Sequence, residues 1–278
     1  MTRAPRLRAL LALITPTLAL TLAPTLTAPG ARATDPPATV ARLRLEAGDG
    51  QYLAWADNLL AGPIEVRLDA AGAPPASSQP PLPARASVAP GASTLLAYLR
   101  PPPGSGQLHL RLTATPGSSN ARPRDVAYLL PLALPTARID QGFAGAFSHQ
   151  DAENRYALDL AAPEGTPVLA ARAGVVMQVQ TGMPEASPAQ TTDALKRANF
   201  IRILHADGSM GLYAHLSAVE VRPGQSVQTG DRIGLSGNTG YSTGPHLHFA
   251  VQVNRGMQLI SIPFRLAGPT SAAPPESH

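Results

Sequence analysis

The sequence predicts an all-β protein of two domains. Three observations carry this: short runs that alternate apolar and polar residues recur along the chain, 30 prolines and 24 glycines punctuate them, and sustained amphipathic helical patterns are hard to find. A chain of 278 residues with 44% apolar content can bury one good core or two modest ones.

The N-terminal stretch carries Arg3, Arg6 and Arg8, an apolar run from Ala9 to about Ala23, and Ala31-Arg32-Ala33 as a small-x-small cleavage site. It reads as a signal peptide over residues 1–33, with the mature chain starting near Thr34. The alternative is a retained anchor, but Pro16, Pro24 and several threonines interrupt a run already short of a span of about 20 residues. No stable membrane span is expected after cleavage. Taking the four arginines of this leader from the 22 basic residues leaves 18, against 18 acidic ones. The mature protein is therefore near neutral, and its basic pI is no nucleic-acid footprint. Without cysteine, an exported domain has no disulfides, so packing or a metal must staple it. The residues carry no signal of oligomeric state.

Between Ala41 and Leu132 the runs "ARLRLEA", "PIEVRLDA", "STLLAYLR", "QLHLRLTA" and "VAYLLPL" have the spacing of a small antiparallel sandwich, placed at residues 34–137. The proline-rich segment "AAGAPPASSQPPLPARASVAPGAS" reads as a loop crossing between strands. His109 is this half's one histidine, and a lone imidazole makes no site, so it reads as a surface strand residue.

A second unit, residues 138–267, is again rich in strand patterns, with "ADG" at 206–208 as a hairpin signal. Residues 268–278 read as a disordered tail.

Five of the seven histidines lie between residues 149 and 248, which raises the prior for a metal. A catalytic zinc takes three protein ligands and keeps a fourth position open, and the candidates are His149, Asp159, His205, His215, His246 and His248. Strand periodicity helps to sort them. In "GPHLHFAVQV", His246 and His248 share a face with Ala250 and Gln252, while Leu247, Phe249, Val251 and Val253 take the other. In "YALDL", Asp159 lies opposite Leu158 and Leu160; in "LYAHL", the pattern turns His215 away from the core together with Tyr213. His205, beside the hairpin turn, reads as an orienting or surface residue, with ligation as the alternative.

The segments "ALDLAAPEGTPVLAARAGVV", "LYAHLS" and "GDRIGLSGNTGYSTGPHLHF" resemble the M23 family of LytM-type, lysostaphin-like zinc metallopeptidases. The resemblance covers about residues 140–265. It implies a LytM-type antiparallel β-sheet peptidase domain with zinc (Zn2+) held by a histidine, an aspartate and the second histidine of His-x-His, here Asp159 and His248. It further implies that His215 and His246 face the water and the reacting carbonyl as catalytic residues. In the commonest pattern the first ligand precedes the aspartate by four residues, where this chain has Arg155, which cannot ligate because it stays protonated. A branch of the family resembles "SHQDAENRYALD", so the first ligand is assigned to His149, against the alternative of a degenerate site without metal. The expected function is an exported endopeptidase, in the periplasm or cell envelope, that cuts peptide cross-links of bacterial peptidoglycan. Two alternatives stand beside it: a non-catalytic module that binds peptidoglycan or activates an amidase, and a secreted protease of other proteins.

Overall fold

The nine-stranded sheet that carries the histidines is built around one long strand. The computed structural model describes residues 39–102, 104, 108–186, 197–268 and 270–272; the expected signal peptide, part of the 181–198 loop and residues 273–278 lie outside these. All secondary structure among the described residues is β, and none of their segments is a helix long and apolar enough to cross a membrane.

The first half forms two facing sheets. β1 (Ala41–Gly48), β2 (Gln51–Asn58), β4 (Ser77–Gln79) and β6 (Ser93–Arg100) make one, in the order β1-β2-β6-β4. β3 (Ile64–Ala70), β5 (Ala84–Val88) and β7 (Leu110–Pro116) make the other, in the order β5-β3-β7. Alternation explains the packing: Ile64, Val66 and Leu68 are buried between the sheets, with Leu99, Val88 and Ala54. The segment read as a proline-rich loop is a correction, because it contains β4 and β5. Both are edge strands, and Pro80 and Pro83 fall between them, where no ladder amide is needed. His109 is exposed.

The run "VAYLLPL" does not join the sandwich. Its strand β8 (Ala127–Leu129) pairs in parallel with β20 (Arg265–Ala267), because Tyr128, Leu130 and Leu132 bury against the second core. Tyr128 lies edge-on to Phe249 and Phe264, with centroids 6.2 and 5.9 Å apart.

In the second half, β9 (Ala137–Gln141), β10 (Ala157–Ala161), β12 (Gly174–Gln180), β13 (Phe200–Leu204), β14 (Met210–Ala214), β16 (Ser226–Val227) and β18 (His246–Arg255) form the main sheet, in the order β16-β12-β13-β14-β18-β10-β9. β19 (Gln258–Ser261) folds back on β18 as a hairpin. β21 (Thr270–Ala272) adds a parallel edge to β9, so part of the expected tail is ordered, its main chain completing the ladder that β9 leaves open. β11 (Pro167–Leu169), β15 (Leu216–Val219) and β17 (Arg232–Ser236) form a smaller sheet beside it.

The main sheet is buried differently on its two faces. Ile201, Ile203, Tyr213, Leu247, Phe249 and Val251 pack into one core with Val168 and Ile233 of the small sheet. On the opposite face, Met177, Met210 and Leu204 belong to the sandwich's core, and the Ala61 amide donates to the Met177 carbonyl at 3.0 Å. Residues Pro36–His278 accordingly form one compact unit. What the sandwich leaves uncovered on that face is a groove.

Candidate active site

The groove, about 1380 Å³, is floored by β10, β13, β14 and β18 and walled by the loops at 142–156 and 237–245. Cross-strand register sets its chemistry: Asp159 lies directly opposite His248, and Ala161 opposite His246, while Asp159 faces Gln141 of β9 on its other side. Leu158 and Leu160 point into the core.

Asp159 is the centre. Its Oδ1 lies 3.3 Å from His149 Nε2, 2.8 Å from His248 Nδ1 and 3.7 Å from His246 Nε2. One ligand atom each from His149, Asp159 and His248 lies within 4.8 Å of the others, and all three residues are buried. His149 reaches this point from the loop after β9, not from a strand.

The hydrogen bonds around the rings decide what the centre can hold. His149 Nδ1 lies 2.7 Å from the Gly142 carbonyl, which can only accept, so that nitrogen donates and a neutral ring presents its Nε2 lone pair to Asp159. His248 is fixed from its other nitrogen: Nε2 donates to Asn154 Oδ1 at 3.1 Å, and Asn154 Nδ2 donates to both oxygens of Asp151 at 3.1 and 2.9 Å, which keeps the amide oxygen toward the ring. Nδ1 of His248 is then the lone pair that faces Asp159. Three acceptor groups converging on one buried point are stable only around a cation. The donor set, two imidazole nitrogens and one carboxylate oxygen with tautomers locked from behind, fits a divalent metal of the zinc type. Protons on the two facing nitrogens satisfy the carboxylate in the same way that a metal ion would: burial opposes ionisation of Asp159, but hydrogen bonds donated by protonated His149 and His248 outweigh it and hold the carboxyl well below its usual range. Burial likewise opposes a charge on His149, and Asp159 more than offsets it, raising the ring.

Two further imidazoles stand beside the centre. The His215 ring lies 4.6 Å from that of His246 and 5.8 Å from that of His248, centroid to centroid. His215 Nδ1 donates to the Thr239 carbonyl at 2.7 Å and His246 Nδ1 to the Gly244 carbonyl at 2.8 Å, so each neutral ring has a free Nε2. Burial first, then the neighbouring His246 and His248, push His215 down to about 3, so it is a neutral acceptor at working pH.

His215 reaches the groove by a route that alternation does not describe. Tyr213 is fully buried in the core, where its hydroxyl accepts from the Ala171 amide at 2.8 Å, and it is Leu212 and Ala214 that line the groove. By period two His215 would follow Tyr213 inward. Instead β14 ends at Ala214, and His215 takes a left-handed backbone with φ of 65°, which turns its ring out. The Thr239 carbonyl that receives it precedes Gly240, whose φ is 81° and where a Cβ would stand 2.5 Å from the Arg197 carbonyl.

The remaining candidates lie elsewhere. His205 is neither a ligand nor a surface residue; it is buried on the core face, with Nδ1 donating to the Ala173 carbonyl at 2.9 Å. Arg155 is exposed; its carbonyl accepts from the Ala144 amide and its amide donates to the Asp151 carbonyl. Two groups that strand periodicity does not reveal complete the site. Gln141 donates to Asp159 Oδ2 at 3.1 Å and to Ser148 at 2.7 Å, and Asn154 orients His248. Exposed Phe147 and Tyr241 stack at the rim with rings 5.3 Å apart and 5° from parallel.

A His-Asp-His set with the geometry to hold a metal ion lies in an open groove on an antiparallel sheet, flanked by two more imidazoles with free nitrogens. Residues 153–259 match Peptidase family M23; His149 lies just before the matched span. An uncharacterized metalloprotease of Buchnera aphidicola is 38% identical over 98 residues, 35% of this chain and 23% of that protein. The peptidoglycan DD-endopeptidase ShyA of Vibrio cholerae is 43% identical over 95 residues, 34% of this chain and 19% of that protein. The catalytic domain of lysostaphin from Staphylococcus simulans is 32% identical, with 42% of this chain and 77% of that one covered and a TM-score of 0.31. The matched segments thus span about a fifth of the two curated relatives' length.

Proposed function

We propose that this chain is an exported zinc endopeptidase that hydrolyses peptide cross-links of bacterial peptidoglycan, with His149, Asp159 and His248 as metal ligands and His215 and His246 as catalytic residues. The observation that carries it is the convergence of three buried acceptor groups on one point, each oriented from behind so that only a cation satisfies them. A relative named for peptidoglycan DD-endopeptidase activity supports the substrate class, and export follows from it because the cell wall lies outside the cytoplasm.

When bound, the metal supplies Lewis acidity, polarising the scissile carbonyl and acidifying a water. The chain's own residues do the rest. His246, with Nδ1 tied to the Gly244 carbonyl, offers an Nε2 lone pair that takes the proton from the attacking water, and His215, tied to the Thr239 carbonyl and held neutral, accepts a hydrogen bond that orients that water. The imidazolium so formed hydrogen-bonds the developing oxyanion and then returns the proton to the departing amine. The intact set of ligands and flanking imidazoles favours this reading over a non-catalytic module. The test is metal analysis of the purified protein, followed by digestion of purified cell walls and mass analysis of the fragments. The expected result is about one zinc per chain and fragments that each gain one water at a peptide cross-link; undigested walls with full zinc occupancy count against it.

A further inference from the structure

The floor of the groove holds a buried cation that the chemistry above does not use. Arg202 alternates with Ile201 and Ile203, which point into the core, and its own side chain lines the groove while only 7% exposed. Nη1 donates to Gln178 Oε1, and Nη2 makes a long bond of 3.3 Å to Gln252 Oε1. Nε has no partner. Both partners are neutral amides. Among the described residues no acid hydrogen-bonds this guanidinium; Glu153, on the 142–156 loop, is the acid near enough to act on it through space. Burial pushes the group down to about 10, which leaves it charged at neutral pH. A buried charge without a hydrogen-bonded counter-ion is destabilising, and the guanidinium keeps donor capacity for a carboxylate, Nη2 being weakly held by a neutral amide and the enclosed Nε unpartnered among the described residues.

Position gives this charge a use. Arg202 pairs with Leu212 and Leu212 with Ala250, one row of same-face residues beyond the row that holds Ala214 and His248. Sheet spacings put the Arg202 backbone about 12 Å from that of His248, the reach of about three extended residues. One row further, Met210 is buried in the sandwich's core and half-buried Leu204 packs against it, so the floor ends just past Arg202.

We infer that Arg202 forms a carboxylate subsite at the closed end of the groove: it takes a free carboxylate of the peptide whose scissile amide lies over the His149, Asp159 and His248 centre. This rests on the peptidase reading and adds the substrate class, a cross-linked stem peptide with a free carboxylate about three residues from the bond that is cut. The amide of a blocked terminus, which carries no charge, leaves the guanidinium without a hydrogen-bonded counter-ion.

The experiment uses cross-linked muropeptide dimers with free stem carboxylates, and the same dimers with those groups converted to carboxamides. Wild-type protein is expected to cleave the acid form with kcat/KM roughly 10- to 100-fold above the amide form, the range for a charge-assisted hydrogen bond. In Arg202→Gln the two forms should fall within about two-fold of each other, with Arg202→Lys between, because it keeps charge but loses the fork. Thermal unfolding shows whether each variant is folded. Equal cleavage of both forms by wild type overturns the subsite, whether or not the variants fold, and so does a preference that survives in folded Arg202→Gln. Calorimetric binding of both dimers to metal-stripped protein separates the two readings: if neither dimer is ever cleaved but the acid form binds tighter to wild type and not to Arg202→Gln, the subsite stands and the peptidase reading fails.

Discussion

The two faces of the main sheet both bury histidine, yet only one makes a site. On the groove face, His149, His215, His246 and His248 each have one ring nitrogen tied to an oxygen behind it; the other nitrogens of His149, His246 and His248 gather around Asp159, and the His215 ring packs beside that of His246. On the core face, His205 is tied in the same way to Ala173, but its Nε2 is buried with no hydrogen-bond partner among the described residues, and burial drives it down to about 4. An oriented, desolvated imidazole is therefore not enough. What turns orientation into chemistry is convergence on an anion, which needs residues from β10, β18, the end of β14 and a loop to meet at one point.

The sharpest way to break this contrast is to remove a converging ring. His248→Ala or His149→Ala deletes one of the three proposed ligands, so zinc content and cell-wall hydrolysis should vanish together, whereas Arg155→Ala should keep its metal. Elemental analysis of the three folded variants decides; zinc retained in His149→Ala and lost in Arg155→Ala overturns the assignment of the first ligand. Next in size are the flanking rings. His246→Ala and His215→Ala should each keep zinc and lose about 10²- to 10³-fold in turnover, the range for one oxyanion-stabilising group. Loss of metal in His246→Ala equal to that in His248→Ala would show ligand and catalyst to be confused.

A smaller effect is expected one layer out. Asn154→Ala frees the back of His248 without touching the centre, and should weaken metal affinity by about 10- to 100-fold while saturating zinc restores activity, as competition with a chelator would measure. The opposite face supplies the mildest contrast. Folded His205 sits near 4, below its ordinary 6.5, so as pH falls the unfolded chain binds the proton first. The stability it contributes is complete above about pH 6.5 and is lost on the way down to about pH 4, on the order of 3 kcal/mol in all. Urea unfolding at pH 7.5 and pH 5 should show a steeper loss for wild type than for His205→Gln; parallel losses would mean the ring is not kept neutral by burial.

Much of this was legible in the residues, and the limits follow from what periodicity encodes. A strand buried on one side repeats every two residues, so β18 and β10 announced which side chains share the groove with His248 and Asp159. Periodicity failed where the backbone leaves the strand: nothing in "LYAHL" shows that Tyr213 finds the Ala171 amide inside the core or that His215 turns with positive φ. His149 and Asn154 sit in a loop, where spacing carries no direction, and Asn154 is known only by the ring and carboxylate it bridges. Arg202 did leave a signal, a lone charge in the apolar alternation of "FIRIL", but its meaning depends on neighbours contributed by β12 and β18. The sharing of Met177 and Met210 with the sandwich is a long-range fact that local patterns do not contain.

The left-handed backbone at His215 sets a trade-off at that position. Glycine adopts such a φ freely and alanine does not, so His215→Gly should leave the fold more stable than His215→Ala by about 1 kcal/mol, although both remove the same imidazole. Drift toward glycine would thus be rewarded by the fold and punished only through lost turnover. The ring that the backbone tolerates least is the one whose persistence among variants of this protein would report most directly on selection for activity.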